Sequence, residues 1–92
     1  MSKTVVPIGA MSGQMFLCED FASKMLQEYL RARSTFGPFD NGHEGLAVIW
    51  EEFEELKSFV FGKNQTQEQI ENARKECVQL AAMAMAFAVE LL

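Results

Sequence analysis

The sequence predicts an all-α fold, an antiparallel bundle of three main helices. Apolar residues recur at steps of three and four along three segments of the 92-residue chain. Two short stretches that contain glycine and polar residues, 36–42 and 62–65, separate these segments. No β-hairpin pattern occurs, and only VVPI near the N-terminus is compatible with an extended strand. The length predicts one domain, 1–92, in which residues 1–11 form a flexible or weakly ordered N-terminal segment.

The first predicted helix covers residues 12–34. Its apolar stripe consists of Cys18, Phe21, Ala22, Met25, Leu26 and Tyr29. Its other side carries Glu19, Asp20, Lys24, Glu28 and Arg31. The helix has to end at FGPFDNG, because Gly37 and Pro38 do not continue a helix. Phe36 and Phe39 flank this pair, and they either plug the end of the helical core or stack on a nucleobase.

The second predicted helix runs from about residue 42 to 61. Asp40 or Asn41 caps its start, and Gly62 is the expected C-terminal cap. The residues predicted to form its core stripe are Leu46, Ile49, Trp50, Phe53, Leu56 and Val60.

The third predicted helix begins after Thr66 and continues nearly to Leu92. Gln69, three residues after Thr66, completes a capping-box pattern. Its predicted core stripe is Ile70, Ala73, Cys77, Leu80, Ala84, Phe87 and Leu91. The steady alternation of three- and four-residue steps indicates an α-helix along its whole length.

The second half of this helix is apolar on all sides. Gln79 is the only polar residue from Cys77 to Val89, and Val78 and Met85 lie away from the predicted stripe. A helix that is apolar all round has to be buried all round. Either it sits at the centre of a monomer, or a partner subunit completes the bundle. The sequence favours the partner subunit, in a homodimer or a homotetramer.

The composition and the net charge disfavour several classes of function. The formal net charge of -5 disfavours binding to a nucleic acid polymer or to an anionic membrane, although it permits a phosphorylated small molecule held through a metal cation. Two distant cysteines and one histidine offer no zinc motif. No run of about 20 apolar residues predicts a membrane span, and no secretory leader is recognised. We therefore expect a soluble, cytoplasmic protein.

The stretch IWEEFEELKSF, 49–59, concentrates carboxylates on one face of the second helix. At about 100° per residue, Glu51, Glu52 and Glu55 share a side roughly opposite the stripe that contains Phe53. Val48 and Phe59 bracket the three acids on that side. Apolar neighbours of this kind are typical of a pocket wall or a subunit groove. The alternative is a solvated acidic face.

Three carboxylates within one helical turn repel one another and raise each other's proton affinity. A divalent cation relieves this repulsion, and carboxylate oxygens suit Mg²⁺ or Mn²⁺. Further ligands have to come from another helix. Glu76 lies at the shoulder of the third helix's stripe, and Gln79 lies one turn further along the same side. These two residues are the candidates that complete a metal site.

The two acidic elements together resemble the signature of a known family. EEFEE is followed, after twenty residues, by ECVQ on an apolar helix. This order resembles the MazG-like all-α nucleoside triphosphate pyrophosphohydrolases, in which EExxE precedes ExxD on the next helix. FGPFDNGHEGLAVIWEEFEEL and RKECVQLAAMAM look like stretches of small MazG-like proteins of phages and bacteria. The resemblance covers roughly residues 25–92.

The resemblance implies hydrolysis of a nucleoside triphosphate to a monophosphate and pyrophosphate, in a MazG-like helical bundle assembled as a dimer or tetramer. It implies Mg²⁺ or Mn²⁺ as cofactor. The implied metal ligands are Glu51, Glu52, Glu55, Glu76 and Gln79. Glu52 and Glu55 are the implied catalytic carboxylates, one of them the general base.

One position departs from the family pattern. Gln79 stands where the family has its final aspartate, and an amide carries no charge and cannot act as a base. The alternatives are therefore a catalytically inactive MazG-like protein that binds a nucleotide, metal or protein partner, and a purely structural helical oligomer. The sequence also shows no clear basic cluster for phosphates. Lys57, Lys63, Arg74 and Lys75 are expected to be solvated surface charges.

Overall fold

The computed structural model describes residues 8–62 and 66–92, with side chains from residue 13 onward. Three helices account for these ranges: α1 (Ile8–Phe36), α2 (Gly42–Val60) and α3 (Gln67–Leu91). No strand occurs in either range, which confirms the predicted all-α class. Within the same ranges no helix combines the length and the apolar character that a membrane span requires.

The helix starts follow the predicted capping chemistry. Of the two candidates at α2, Asn41 is the cap, and its side-chain oxygen accepts a hydrogen bond of 2.9 Å from the N–H of Glu44. At α3, Oγ1 of Thr66 accepts a 3.2 Å bond from the N–H of Gln69. These side chains satisfy N–H groups that the first helical turn leaves without partners.

The helix ends differ from prediction in two places. α1 begins at Ile8, before the predicted residue 12, so that part of the predicted N-terminal segment is helical while 1–7 lie outside the described residues. The predicted cap at Gly62 is wrong, because that glycine does not adopt a positive φ. Instead, Phe61 is the C-terminal cap of α2, and its N–H donates to the carbonyl of Lys57. Gly37, with φ of 74°, adopts the left-handed conformation directly after α1.

Helix α3 holds the bundle together. It packs against both α1 and α2, whereas the backbones of α1 and α2 do not approach each other closely over the described residues. Gly45 near the start of α2 meets Phe87 and Leu91 near the end of α3, so these two helices are antiparallel. The three helices therefore enclose a trough, with α3 as its floor and α1 and α2 as its walls.

An ion pair joins the ends of α1 and α3 to the loop between α1 and α2. The Glu90 carboxylate accepts hydrogen bonds from the Tyr29 hydroxyl at 3.0 Å and from the Phe39 N–H at 2.9 Å, and it pairs with Arg33. The Arg33 guanidinium lies 5.5 Å and 4.7 Å from the ring centroids of Tyr29 and Phe39. Only 14% of the Arg33 side chain and 10% of the Glu90 side chain are exposed. This network holds the C-terminal ends of α1 and α3 together at one end of the trough.

The two phenylalanines that flank Gly37 and Pro38 take different positions. Phe39 packs against the buried core, as the plug interpretation predicts. Phe36 is 77% exposed and lines the open trough. The pair therefore does not act as a single plug.

The core of the single chain is small. Among the described residues, the buried apolar side chains are Ala32, Ala82, Met83 and Ala86. The centre of the α3 stripe is shifted from the predicted one, since Ala84 is exposed and Ile70 is 41% exposed. The buried side of α3 lies between its contacts with α1 and α2, and apolar spacing alone cannot locate that side.

The predicted core stripe of α2 is largely wrong for a single chain. Ile49 and Leu56 are half-buried, but the rest of the stripe is 50–66% exposed and forms what we call the outer α2 face: Leu46, Trp50, Phe53 and Val60. The α3-facing side of α2 instead includes buried Gly45 and half-buried Glu52. The helix is thus turned by roughly a quarter from the orientation that its hydrophobic pattern predicts.

Gly45→Ala tests the close approach of α2 to α3. A Cβ atom at Gly45 would lie 2.8 Å from Phe87 and 3.1 Å from Leu91, and 3.2 Å from the Phe39 ring. We expect this overpacking to lower the free energy of unfolding by about 1–3 kcal/mol in urea titrations. Gly42→Ala is the control, because its Cβ would meet only Phe87, at 4.0 Å. Equal stability of the two variants would contradict the packing described here.

Candidate metal centre

Three carboxylates, two from α2 and one from α3, converge where these two helices face each other. One oxygen each from Glu52, Glu55 and Glu76 lies within 4.8 Å of the other two. Glu52 and Glu55 are three residues apart on α2, so that they project from nearly the same side of that helix. Glu76 faces them from α3. We call these three residues the carboxylate cluster.

The cluster contains buried oxygens that lack partners. Glu52 and Glu76 are half-buried, and Oε2 of each is buried without a hydrogen bond to any residue that the structure describes. Glu55 is exposed at the open side of the cluster. An ionised carboxylate only accepts hydrogen bonds, so a hydrogen bond between two of these groups requires that one of them carries a proton. Such oxygens need a proton or a cation, because a buried polar group without a partner is costly.

All three carboxyl groups bind protons more tightly than usual. Burial raises the pKa of Glu76 to about 7, and a hydrogen bond shared with Glu52 adds to the rise. Burial also raises the pKa of Glu52, as do the negative charges of Glu55, Glu51 and Glu28. The hydrogen bond with Glu76 raises the pKa of Glu55. The cluster is therefore a place where positive charge is favoured.

The other two predicted ligands lie beside the cluster rather than in it. Glu51 is exposed and is not one of the three converging carboxylates, while Gln79 is half-buried. Both line an open cavity of about 350 Å³ that Glu52 also lines. Val48, Glu51 and Glu52 of α2 thus border this open cavity, whereas Glu55 and Phe59 are not among the residues that line it.

Sequence reasoning missed one further acid beside the four that it named. Glu28 of α1 lines the same 350 Å³ cavity, and its charge contributes to the raised pKa of Glu52. In the sequence Glu28 lies on the polar side of its helix with no spacing relation to the EExxE element. Only the packing of α1 on α3 brings it to the trough, so no local pattern identifies it.

Sequence reasoning also missed a group of cations. A second open cavity, of about 540 Å³, lies between α1 and α3. Lys24 of α1 and Arg74 and Lys75 of α3 line it, together with Glu28 and Gln79, which line both cavities. Arg74 and Lys75 were expected to be isolated surface charges. The structure places them with Lys24 at one pocket.

The donor set of the cluster fits a hard divalent cation. Mg²⁺ prefers oxygen ligands, commonly binds through one or two carboxylates, and retains positions for water and phosphate oxygens. Glu52, Glu55 and Glu76 supply oxygens close enough to share one ion, and the exposed side of the cluster at Glu55 leaves room for further ligands. Binding such an ion would satisfy the orphaned oxygens and remove the mutual repulsion.

Comparisons with known proteins add no relative. No family model matches the chain, and no curated protein and no solved structure is significantly similar to it. The functional interpretation therefore depends on the spacing of the acidic motifs and on the geometry of the carboxylate cluster.

The raised pKa of Glu76 predicts how stability depends on pH without metal. The folded protein holds a proton at Glu76 up to about pH 7, whereas the unfolded chain loses it near the usual value of 4.5. The folded state thus binds more protons between these values, and its stability falls as pH rises through that window. We expect the melting temperature, measured with a chelator present, to fall from pH 5 to pH 8.

The variant Glu76→Gln isolates this contribution, because an amide does not titrate. We expect its melting temperature to exceed that of the unmodified chain at pH 8 and to vary less with pH. Glu54→Gln, on an exposed position of α2 outside the cluster, is the control and should keep the original slope. Parallel pH profiles for Glu76→Gln and the unmodified chain would contradict the assignment.

Proposed function

We propose that this protein is a Mg²⁺- or Mn²⁺-dependent nucleoside triphosphate pyrophosphohydrolase of the MazG-like type. The observation that supports the proposal best is the pair of buried, unpartnered carboxylate oxygens on Glu52 and Glu76, within reach of Glu55. A structural bundle gains nothing from this arrangement, since like charges at close range destabilise the folded state. A cation site explains it.

The proposed roles follow from position. Glu52, Glu55 and Glu76 hold the cation directly, and Glu51 and Gln79 contribute from the wall of the adjoining cavity. When bound, the cation supplies positive charge to the phosphates and orients a water molecule. The nucleotide lies in the trough, which residues of all three helices line.

Glu55 is the proposed general base. It is the exposed member of the cluster, so a water molecule can reach its carboxylate from the solvent. It takes a proton from water as the water oxygen bonds to the α-phosphorus. The bond between that phosphorus and the oxygen bridging to the β-phosphate breaks, and pyrophosphate leaves with the electron pair. Glu52 is the alternative candidate for the general base, but its greater burial favours cation binding.

We further propose that the chain works as a homodimer or a homotetramer. The outer α2 face exposes four large apolar side chains along one helix. Such a continuous apolar surface is typical of an interface with another chain. The small core of the single chain supports the same proposal, because a second copy would bury the residues that the chain leaves exposed.

The second candidate function is a MazG-like protein that binds a nucleotide, metal or protein partner without turnover. Gln79 favours it, because a neutral amide replaces a family carboxylate at a position that lines both cavities. The third candidate, a structural oligomer with solvated acids, is disfavoured by the burial of the Glu52 and Glu76 oxygens.

A pyrophosphate-release assay over common and modified nucleoside triphosphates tests the leading proposal. We expect Mg²⁺-dependent release of pyrophosphate and monophosphate from at least one triphosphate. Glu76→Gln should reduce the rate by at least about 10- to 100-fold, because even the loss of a group that only supports a metal ligand commonly costs that much. Glu54→Gln, matched in chemistry but outside the cluster, should leave the rate unchanged. Metal binding with no release from any triphosphate would favour the second candidate.

Gln79→Asp tests whether the amide limits the site. One added carboxylate beside a dication, at an effective dielectric constant of about 20, is worth more than the ~1.4 kcal/mol that corresponds to tenfold. We therefore expect Mg²⁺ affinity by calorimetry to rise at least about tenfold, with a higher rate of pyrophosphate release. Gln27→Asp adds the same charge on an exposed position of α1 and should change neither quantity. An unchanged affinity in a well-folded Gln79→Asp would place the cation away from this residue.

A further inference from the structure

The cavity between α1 and α3 concentrates positive charge in an acidic protein. Lys24, Arg74 and Lys75 line it, three of the eight lysines and arginines in a chain of net charge -5. Two carboxylates, Glu28 and Glu71, share the lining. Cations from two different helices at one cavity of about 540 Å³ are an arrangement suited to an anion.

The cations of this cavity are available for a ligand. Neither Arg74 nor Lys75 forms an ion pair within residues 8–62 and 66–92. Lys24 pairs with Asp20 at 2.9 Å, but both side chains are more than half exposed, so this pair is weak and exchangeable. Glu28 is already bound by Arg31 through two hydrogen bonds. With Glu28 bound by Arg31, Glu71 is the other carboxylate of the lining against three cations, so the cavity keeps a net positive charge.

The cavity adjoins the carboxylate cluster. Glu76 directly follows Lys75 in the sequence, and Gln79 lies one helical turn beyond both. Gln79 and Glu28 line the cationic cavity as well as the one that Glu52 lines. An extended polyphosphate can thus span from the carboxylates on one side of Gln79 to the cations on the other.

We propose that the cavity between α1 and α3 binds the β- and γ-phosphates of the substrate, the part that leaves as pyrophosphate. This inference rests on the proposed function for the identity of the ligand. Arg74 and Lys75 supply the charge from α3 and Lys24 supplies it from α1. The cation held by the carboxylates then lies at the α-phosphate end, and the basic cavity stabilises the charge that develops on the leaving group.

Binding of inorganic pyrophosphate to the full chain, followed by calorimetry with a chelator present, tests the basic cavity separately from the metal centre. We expect binding that weakens as salt is added, because the contacts are between charges near the surface. Arg74→Gln and Lys75→Gln should each weaken it by about tenfold, which corresponds to ~1.4 kcal/mol. Lys57→Gln removes an exposed cation of α2 outside the cavity and should leave the affinity unchanged. Circular dichroism verifies that each variant is folded.

Three results overturn this inference: no binding of pyrophosphate by the unmodified chain, no loss in the double variant of Arg74 and Lys75, or an equal loss in Lys57→Gln. Its failure is distinguishable from failure of the proposed function. Hydrolysis with a KM that is insensitive to Arg74 and Lys75 would retain the function and discard the cavity. Binding of pyrophosphate that these residues control, with no triphosphate hydrolysed, would retain the cavity and discard the enzyme.

Discussion

The fold depends on the packing of α1 and α2 against α3, because α1 and α2 are not packed closely against each other. α1 and α2 both pack on α3, and over the described residues their backbones do not come close to each other. Small residues at the contact, Ala82 and Ala86 on α3 and Gly45 on α2, allow the helices to approach closely. The same arrangement leaves a trough along α3, and Glu28, Glu51, Glu52 and Gln79 line it.

Two acidic residues of α3 show what this trough does to a carboxylate. Glu90 is nearly buried, and it is satisfied by Arg33, Tyr29 and the Phe39 N–H, so it strengthens the fold. Glu76 is half-buried beside other carboxylates, with one oxygen unpartnered and a pKa raised to about 7. Its position costs stability in the absence of a counter-charge. Groups that are held against their electrostatic preference are typical of functional sites.

The outer α2 face and the side of α2 that faces α3 have opposite chemical character. Leu46, Trp50 and Phe53 carry the strongest apolar pattern of α2 yet remain exposed, while Glu52 turns toward α3. A monomer that optimised its own core would reverse this orientation. The orientation is understandable if another chain covers the apolar face and a cation occupies the acidic one. Oligomerisation and metal binding would then both stabilise the fold by mass action.

Local chemistry determined the helices. The caps at Asn41 and Thr66 and the stop after Phe36 follow from side-chain hydrogen bonding and from glycine's access to positive φ, which act within a few residues. Helical periodicity also brought the acids of α2 to one side, and the motif spacing predicted that Glu76 would face them. Only the tertiary structure decided which side of α2 is buried, and it alone brought Glu28 of α1 to the trough and Lys24 of α1 to the cavity between α1 and α3. Periodicity shows that one face of a helix is apolar, but not whether the surface that covers this face belongs to the same chain. Residues on separate helices meet only through tertiary packing, which no local pattern specifies.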